Sequence, residues 1–423
     1  MRIRAALTVA AVATAAAPLA AACVPAAAAG ASLEGVPRVE HVVTLVLENE
    51  SFSTTWSPTS PAAYLNSLVP QGAFLPDYYG TGHVSLDNYV AMTSGLAGPQ
   101  VANTYTDCLG INLYTCVQEV STAATAGNGS TPSIADQIEN AGLTWKQYAD
   151  GSTRPCVHDD YSPAATGSGI PPGDSYQGNG GTPTNNGAGP DYADRHVPFL
   201  YYSNIIGDAA CCDAHLRPYT ELGADLAANT LPAYSFITPD TCHDGHDTPC
   251  SGGGPGGLAS ADLFLRANLA PLLAYLRTHD GVLFVTFDEG TPSDTSGCCT
   301  GGPAGAGGFG GRVGMLVLGA PVLAHATVAT AYDHASLLRT TEDMLGISAH
   351  LGNAATASPI TGIWAPPAAG STVSTSTSTS PGAGATPSAI ATPNTSAPAA
   401  TLTLLAPATL LAGAAVSRRR RRR

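Results

Sequence analysis

Four short stretches of the chain place polar side chains directly after an apolar run or a glycine turn: Glu48–Asn49, Ser85, His243–Asp247 and Asp288–Glu289. His196 (RHVPF) and His334 (DHASLLRT) lie beside other element ends. Carboxylate and carboxamide oxygens suit a hard cation. A serine hydroxyl beside such a cation suits displacement at phosphorus. The cation offsets charge on the phosphoryl oxygens and lowers the pKa of a coordinated hydroxyl. Histidines that titrate near neutral pH can then protonate the leaving alcohol. Each piece alone has a plainer reading: a solvated loop, a capping serine, a structural histidine. Their recurrence at element ends is what points to one site.

The elements that must position these groups follow from hydrophobic pattern. VVTLVL (42–47), in the stretch HVVTLVLENESFS (41–53), is apolar on consecutive residues and β-branched, as expected of a strand covered on both faces. AYSFIT (233–238), GVLFVTF (281–287) and Val313–Leu318 read the same way, and LTWKQY (143–148) gives a further strand. Helical spacing predicts helices over 61–68, from Ser85, and over 133–141, 219–228, 262–277 and 332–345. Segments 72–79 and 198–202 read as short extended or apolar stretches, and 151–190 and 291–311 as Gly-rich loops. Helices alternating with wholly apolar strands predict an α/β fold: an α/β/α sandwich with a mostly parallel sheet. In such sheets ligands bind beyond the carboxyl ends of the strands, where Glu48 and Asp288 fall.

The ends of the chain read differently. Residues 1–29, with Arg2 and Arg4 before an Ala/Val/Leu run, have the form of a signal peptide; Cys23 in LAAAC is an alternative lipid acceptor. Residues 366–399 are an uncharged Ser/Thr/Pro/Ala stalk. Residues 400–423 are an apolar stretch closed by six arginines, marginally long enough to span a bilayer, and are expected to anchor the chain. This predicts an exported, surface-tethered protein with a catalytic body at 30–365. Without the two leader and six terminal arginines, nine basic residues face all 31 acidic ones, a formal charge of −22. Such a body repels nucleic acid, and an anionic substrate must be held locally, by a metal or a few His and Arg. Nine cysteines follow Cys23, which favours disulfides. Cys108–Cys116 and Cys242–Cys250 are the expected short loops, and one thiol is left over.

The chain resembles the phosphoesterase family of acid phosphatases and bacterial phospholipases C, built on an alkaline-phosphatase-like fold. HVVTLVLENESF, GHVSLDNYVAMTSG, SIADQIENAGLTWKQYAD, RHVPFLYYSNI, LPAYSFITPDTCHDGHD, LFVTFDEG and YDHASLLRTTEDMLGI carry the resemblance, in order, over about residues 39–347. Within the family, YYGTGHVSLDNYVAMTSG is most similar to actinobacterial secreted acid phosphatases described as phosphatidylinositol-3-phosphatases. The resemblance implies that Glu48, Asn49, Asp288 and Glu289 hold a divalent metal, with Mg or Ca favoured by the oxygen ligands. It implies that Ser85 is the nucleophile, touching the metal through Oγ and becoming phosphorylated. His83, His196, His246 and His334 fall at phosphate-binding or proton-transferring positions, and Asp247 would support His246 or bind substrate. His243 and Asp244 share that stretch without a settled role. Val84 and Asp87 replace prolines of the family pattern, and Asp87 adds a carboxylate near the phosphate. The expected substrate is a phosphomonoester, including a phosphoinositide. A phospholipase C cutting phosphodiesters is the alternative, although the extra C-terminal β-domains usual there are missing. A non-catalytic, stalked surface-binding protein is the second alternative.

Overall fold

Strand β1 (His41–Leu47) lies at the middle of the sheet because nearly all of its side chains find protein on either face. The computed structural model describes residues 33–97, 131–157, 188–300 and 309–366, with Asp107, Cys108, Cys116, Val117 and Val120. The expected signal peptide, the anchor tail and all but the first residue of the stalk lie outside these residues. Among the described residues no helix is long and apolar enough to cross a membrane.

The other strands are β2 (Ala73–Leu75), β3 (Tyr78–Tyr79), β4 (Trp145–Ala149), β5 (Leu216–Pro218) and β6 (Tyr234–Thr238). They continue with β7 (Gly281–Phe287), β8 (Met315–Gly319), β9 (Ala326–Thr327) and β10 (Tyr332–Asp333). Eight form one sheet in the order β5-β4-β6-β1-β7-β8-β2-β9, and β10 pairs with β3 apart from it. The run from β5 to β7 is parallel; β8 is antiparallel to both neighbours. The mostly parallel α/β sheet is therefore as expected.

Two groups of helices cover it. Gly257–Thr278 packs on β7 and β8 with Ala63–Leu68 and Leu222–Ala228, whereas His334–Leu345 touches β1 and packs with Ser85–Ser94 and Ile134–Asn140. Every residue of β7 is buried, as a strand between two helical layers must be. The Ile134 helix begins with a capping box made by Ser133 and Asp136. The His334 helix ends at Gly346, whose φ of 72° a side chain would oppose.

The structure corrects several boundaries. Tyr332–Asp333 pairs as strand rather than opening the last helix, and Asp333 instead caps it through Ser336 N. Tyr219–Glu221 is a 3₁₀ turn before the Leu222 helix. The helix Ala209–His215 and strand β5 are too short to show a hydrophobic period and were not expected. Cys108–Cys116 and Cys242–Cys250 are bonded as expected; Cys156–Cys212 and Cys298–Cys299 are also paired, and Cys211 keeps its thiol.

Candidate active site

Parallel pairing in register brings the strand ends level. Leu47 lies opposite Phe287, so Glu48 and Asp288 emerge side by side at the carboxyl edge. Asp288 N–H donates to the Leu47 carbonyl at 2.9 Å, and Glu48 N–H to that of Asp244, also at 2.9 Å. The chain then turns at Asn49, with φ of 51°, a left-handed conformation that asparagine tolerates. That turn aims Asn49 N–H at Asp288 Oδ1 (3.1 Å), which also accepts from Glu289 N–H (2.6 Å). Asp288 Oδ2 and Asn49 Oδ1 are buried with no hydrogen-bond partner. Gly80 lets the next loop approach: a Cβ there would meet the Asp288 carbonyl at 2.7 Å.

The helix Ser85–Ser94 supplies the facing wall, and all ten of its residues are buried. Its N-cap is Val84, so Ser85 is the first helical residue and its hydroxyl is not spent on capping. Ser85 Oγ donates instead to Glu48 Oε2 at 2.8 Å. One turn on, at i+3 and i+4, Asn88 and Tyr89 share the same face. Tyr89 OH donates to the other oxygen of Glu48. Asn88 Nδ2 donates to Glu289 Oε2 at 3.1 Å while its Oδ1 accepts Thr81 and Gly82 N–H, fixing the loop before Ser85. The Leu86 N–H at this helix start already donates to Asp107 Oδ1 at 2.9 Å.

The histidines separate by environment. His196 is buried with its ring stacked on Tyr89, Nε2 3.4 Å from Glu48 Oε1 and Nδ1 3.2 Å from Asp244 Oδ2. His246 Nδ1 lies 2.8 Å from Asp247 Oδ1, and Asp247 Oδ2 accepts the Thr241 hydroxyl at 2.8 Å. Nδ1–H must therefore be the donor, and Nε2 stays uncommitted on a partly exposed ring 6.2 Å from His196. His83 Nε2 donates to the Asp294 carbonyl at 2.8 Å; its buried Nδ1 has no hydrogen-bond partner and lies 4.0 Å from Glu289.

His334 departs from the expected phosphate-binding or proton-transferring place. Its Nε2–H donates to the Asp288 carbonyl at 2.6 Å and Nδ1 accepts from Tyr78 OH at 2.9 Å, so both nitrogens are engaged in holding Asp288 from behind. Burial lowers its pKa to about 4. His243, within the expected stretch, turns instead to Asp150 (2.8 Å) and Asp240 (3.0 Å), whose bonds raise its pKa to about 10.

Electrostatically the site is starved of positive charge. Burial, and then the neighbouring carboxylates, push Glu48, Asp244, Asp288 and Glu289 above the ordinary range. Arg195 opposes this at Glu48 and Asp244. Burial likewise pushes His196 down, so a neutral ring with a single N–H faces two carboxylates. Its one acceptor lone pair therefore points at a carboxylate oxygen unless a proton or cation intervenes. Burial also raises Asp247, but the hydrogen bonds from His246 and Thr241 outweigh it and hold the carboxyl low.

A divalent cation fits this donor set. Orphaned Asn49 Oδ1 and Asp288 Oδ2 sit among buried carboxylates that exclude one another's charge, and Ser85 Oγ adjoins Glu48. Glu48, His196 and Asp244 also have ligand atoms all within 4.8 Å of one another. Glu48 is thus shared between the expected oxygen set and a second, imidazole-containing one.

The structure brings together Glu48, Asn49, Ser85, His83, His196, His246, Asp247, Asp288 and Glu289. Asn88, Tyr89, Asp107 and Arg195 were missed as contributors, and Asp244, named without a settled role, lies against His196. Asn88 and Tyr89 were legible as the i+3 and i+4 positions from Ser85. Arg195 adjoins His196 in sequence. Asp107 sits in a loop with no local signal.

The Phosphoesterase family model matches residues 54–348. Among relatives, a phosphatidylinositol-3-phosphatase of Mycobacterium tuberculosis is 25% identical over 335 residues, 79% of this chain and 86% of that protein. A phosphate-repressible acid phosphatase of Penicillium chrysogenum is 26% identical over 254 residues, 59% of this chain and 48% of its own length. Among solved structures, an alkaline phosphatase superfamily protein from Vibrio parahaemolyticus covers 74% of this chain and 68% of its own, with TM-score 0.43 and 15% identity. A phosphonate monoester hydrolase from Silicibacter pomeroyi covers 74% and 75%, with TM-score 0.43 and 11% identity.

Proposed function

The chain belongs to the Phosphoesterase family and is a phosphoric ester hydrolase, and on that premise we propose that it is a phosphomonoesterase of the acid phosphatase type whose nucleophile is Ser85. The observation that carries this reading is the Ser85 hydroxyl, first in a buried helix and donating to Glu48 at 2.8 Å. Glu48 orients that hydroxyl and accepts its proton, while Tyr89 holds the second carboxylate oxygen in place. Asn88 holds Glu289 and the 81–82 loop, which sets where Ser85 points. Glu48, Asn49, Asp288, Glu289 and Ser85 would hold a divalent cation, with His196 and Asp244 beside it. When bound, it would supply positive charge to the phosphoryl oxygens and acidify the serine hydroxyl. His246, with Nδ1–H held by Asp247, acts as the imidazolium, whose Nε2–H protonates the leaving alkoxide. The neutral ring then takes a proton from the water that attacks phosphorus, while Glu48 returns its proton to the freed Ser85 oxygen. His334 positions Asp288 and does not transfer protons in this reading.

A phosphoinositide monoester is the proposed substrate, supported by the name of the mycobacterial relative and by the SLDNY stretch. Replacing Ser85 by Ala is expected to lower kcat on p-nitrophenyl phosphate by at least about a thousandfold with folding intact. An acid-stable phosphoserine should be trapped on Ser85 in the parent protein. Undiminished turnover in Ser85→Ala would sink the nucleophile, and faster cleavage of p-nitrophenylphosphorylcholine than of p-nitrophenyl phosphate would move the protein to the diesterases.

A further inference from the structure

We propose a second metal site, for a thiophilic divalent cation such as Zn(II), built from Glu139, Cys211 and His215 outside the catalytic centre. Cys211 is the one described cysteine without a disulfide, and its neighbour Cys212 is already tied to Cys156. Cys211 and His215 stand at i and i+4 on the helix Ala209–His215 and so share a face. Glu139 comes from the helix Ile134–Asn140. The three ligand atoms all lie within 4.8 Å of one another.

The imidazole is set as a metal ligand rather than as a surface group. His215 Nδ1 lies 2.8 Å from the Trp145 carbonyl and can only donate there, so in the neutral ring Nε2 is the nitrogen that carries the lone pair. The ring lies flat on the Trp145 indole, 4.2 Å between centroids and 4° between planes, which fixes its direction. Nε2 then faces Glu139 Oε1 at 3.6 Å. Two acceptors at that distance repel unless a proton or cation sits between them. Trp145 Nε1–H donates to the same Glu139 oxygen at 2.9 Å, so one residue orients both ligands. A histidine whose other N–H is held by a backbone carbonyl is the usual outer support of a bound metal.

Ligand type selects the ion. Sulfur, imidazole and carboxylate suit Zn(II) in a tetrahedron completed by water, not Mg or Ca. Burial, with Glu139 and two aspartates near by, raises the Cys211 pKa to about 11, so the thiol enters protonated and binding releases one proton to solvent. Partial exposure of Glu139 and Cys211 lets both rotate inward to bonding distance. The bound ion would tie the two helices together.

The thiolate makes the site separable from the catalytic one, whose donors include no sulfur. The full-length protein, stripped with chelator and reoxidised in air, would be titrated with Cd(II) while its sulfur-to-metal charge-transfer absorption is followed in the ultraviolet. One equivalent should produce the band, Cys211→Ala should abolish it, and His215→Gln and Glu139→Gln should each weaken binding about tenfold or more. Retained phosphatase activity and circular dichroism show that the variants are folded. Absence of the band in the parent protein, or a band of undiminished affinity in both His215→Gln and Glu139→Gln, would overturn the site, the latter because it means a lone thiol binding adventitiously. Either result leaves the Ser85 reading untouched.

Discussion

At the residue scale, reactivity rests on which atoms are already satisfied. Ser85 escapes the capping role common for a helix-start serine because Val84 takes it, and Glu48 collects the freed hydroxyl. His334 is spent on two structural bonds, whereas His246 keeps one nitrogen unspent. From this difference, His246→Gln should slow hydrolysis of alkyl phosphates, whose leaving alkoxide needs a proton, by about 10²–10⁴-fold in kcat. It should slow p-nitrophenyl phosphate far less, because p-nitrophenolate leaves unaided. Equal losses on both substrates would show that His246 does not donate the leaving-group proton. Asp247→Asn is expected to reproduce the pattern in milder form, since it removes the partner that fixes the His246 tautomer.

At the element scale, the His334 helix buries the carboxyl of Glu342. Glu342 Oε1 accepts the Leu351 N–H at 2.9 Å, and its Oε2 is buried. Burial, chiefly, raises its pKa to about 8. The folded state therefore binds this proton more tightly than the unfolded chain. The stabilisation is complete below about pH 4.5 and is lost as pH climbs towards 8, at roughly 1 kcal/mol per unit. Glu342→Gln, whose amide N–H replaces the proton, should have a higher Tm than the parent at pH 8 and an equal one near pH 5. Parallel Tm–pH curves for the two proteins would refute the protonated carboxyl.

At the scale of the whole molecule, the dominant fact is a body carrying −22 formal charge with four carboxylates buried at one sheet edge. A bound cation would relieve the repulsion among these carboxylates. Mg(II) or Ca(II), which the sulfur-containing surface set would reject, should raise the Tm of the chelator-stripped protein. At a hundredfold excess over Kd the gain is about 2.7 kcal/mol. Asp288→Asn should abolish the shift while leaving the stripped protein no less stable. If Mg, Ca and Mn all left the parent Tm unmoved, Glu48, Asn49, Asp288 and Glu289 would not be a metal site.

The amino-acid sequence by itself determined the central strands and where their polar ends fall. β1, β6 and β7 are apolar on consecutive residues, a local pattern that a two-sided sheet alone explains, and β7 matched its expected limits to the residue. Glu48, Ser85 and Asp288 were legible for the same reason: each immediately follows or opens such an element. The tertiary structure decided everything that depends on two distant segments meeting. Only packing shows that Tyr89 grips Glu48, that Asp107 occupies the Leu86 N–H, and that Tyr78 and the Asp288 carbonyl consume His334. Only packing, too, sets Cys211 and His215 against Glu139 across two helices, the first of which had no periodicity to reveal it. Pattern along the chain records what each residue must hide from water, whereas hydrogen bonds and charge contacts depend on distances between segments that no local pattern encodes.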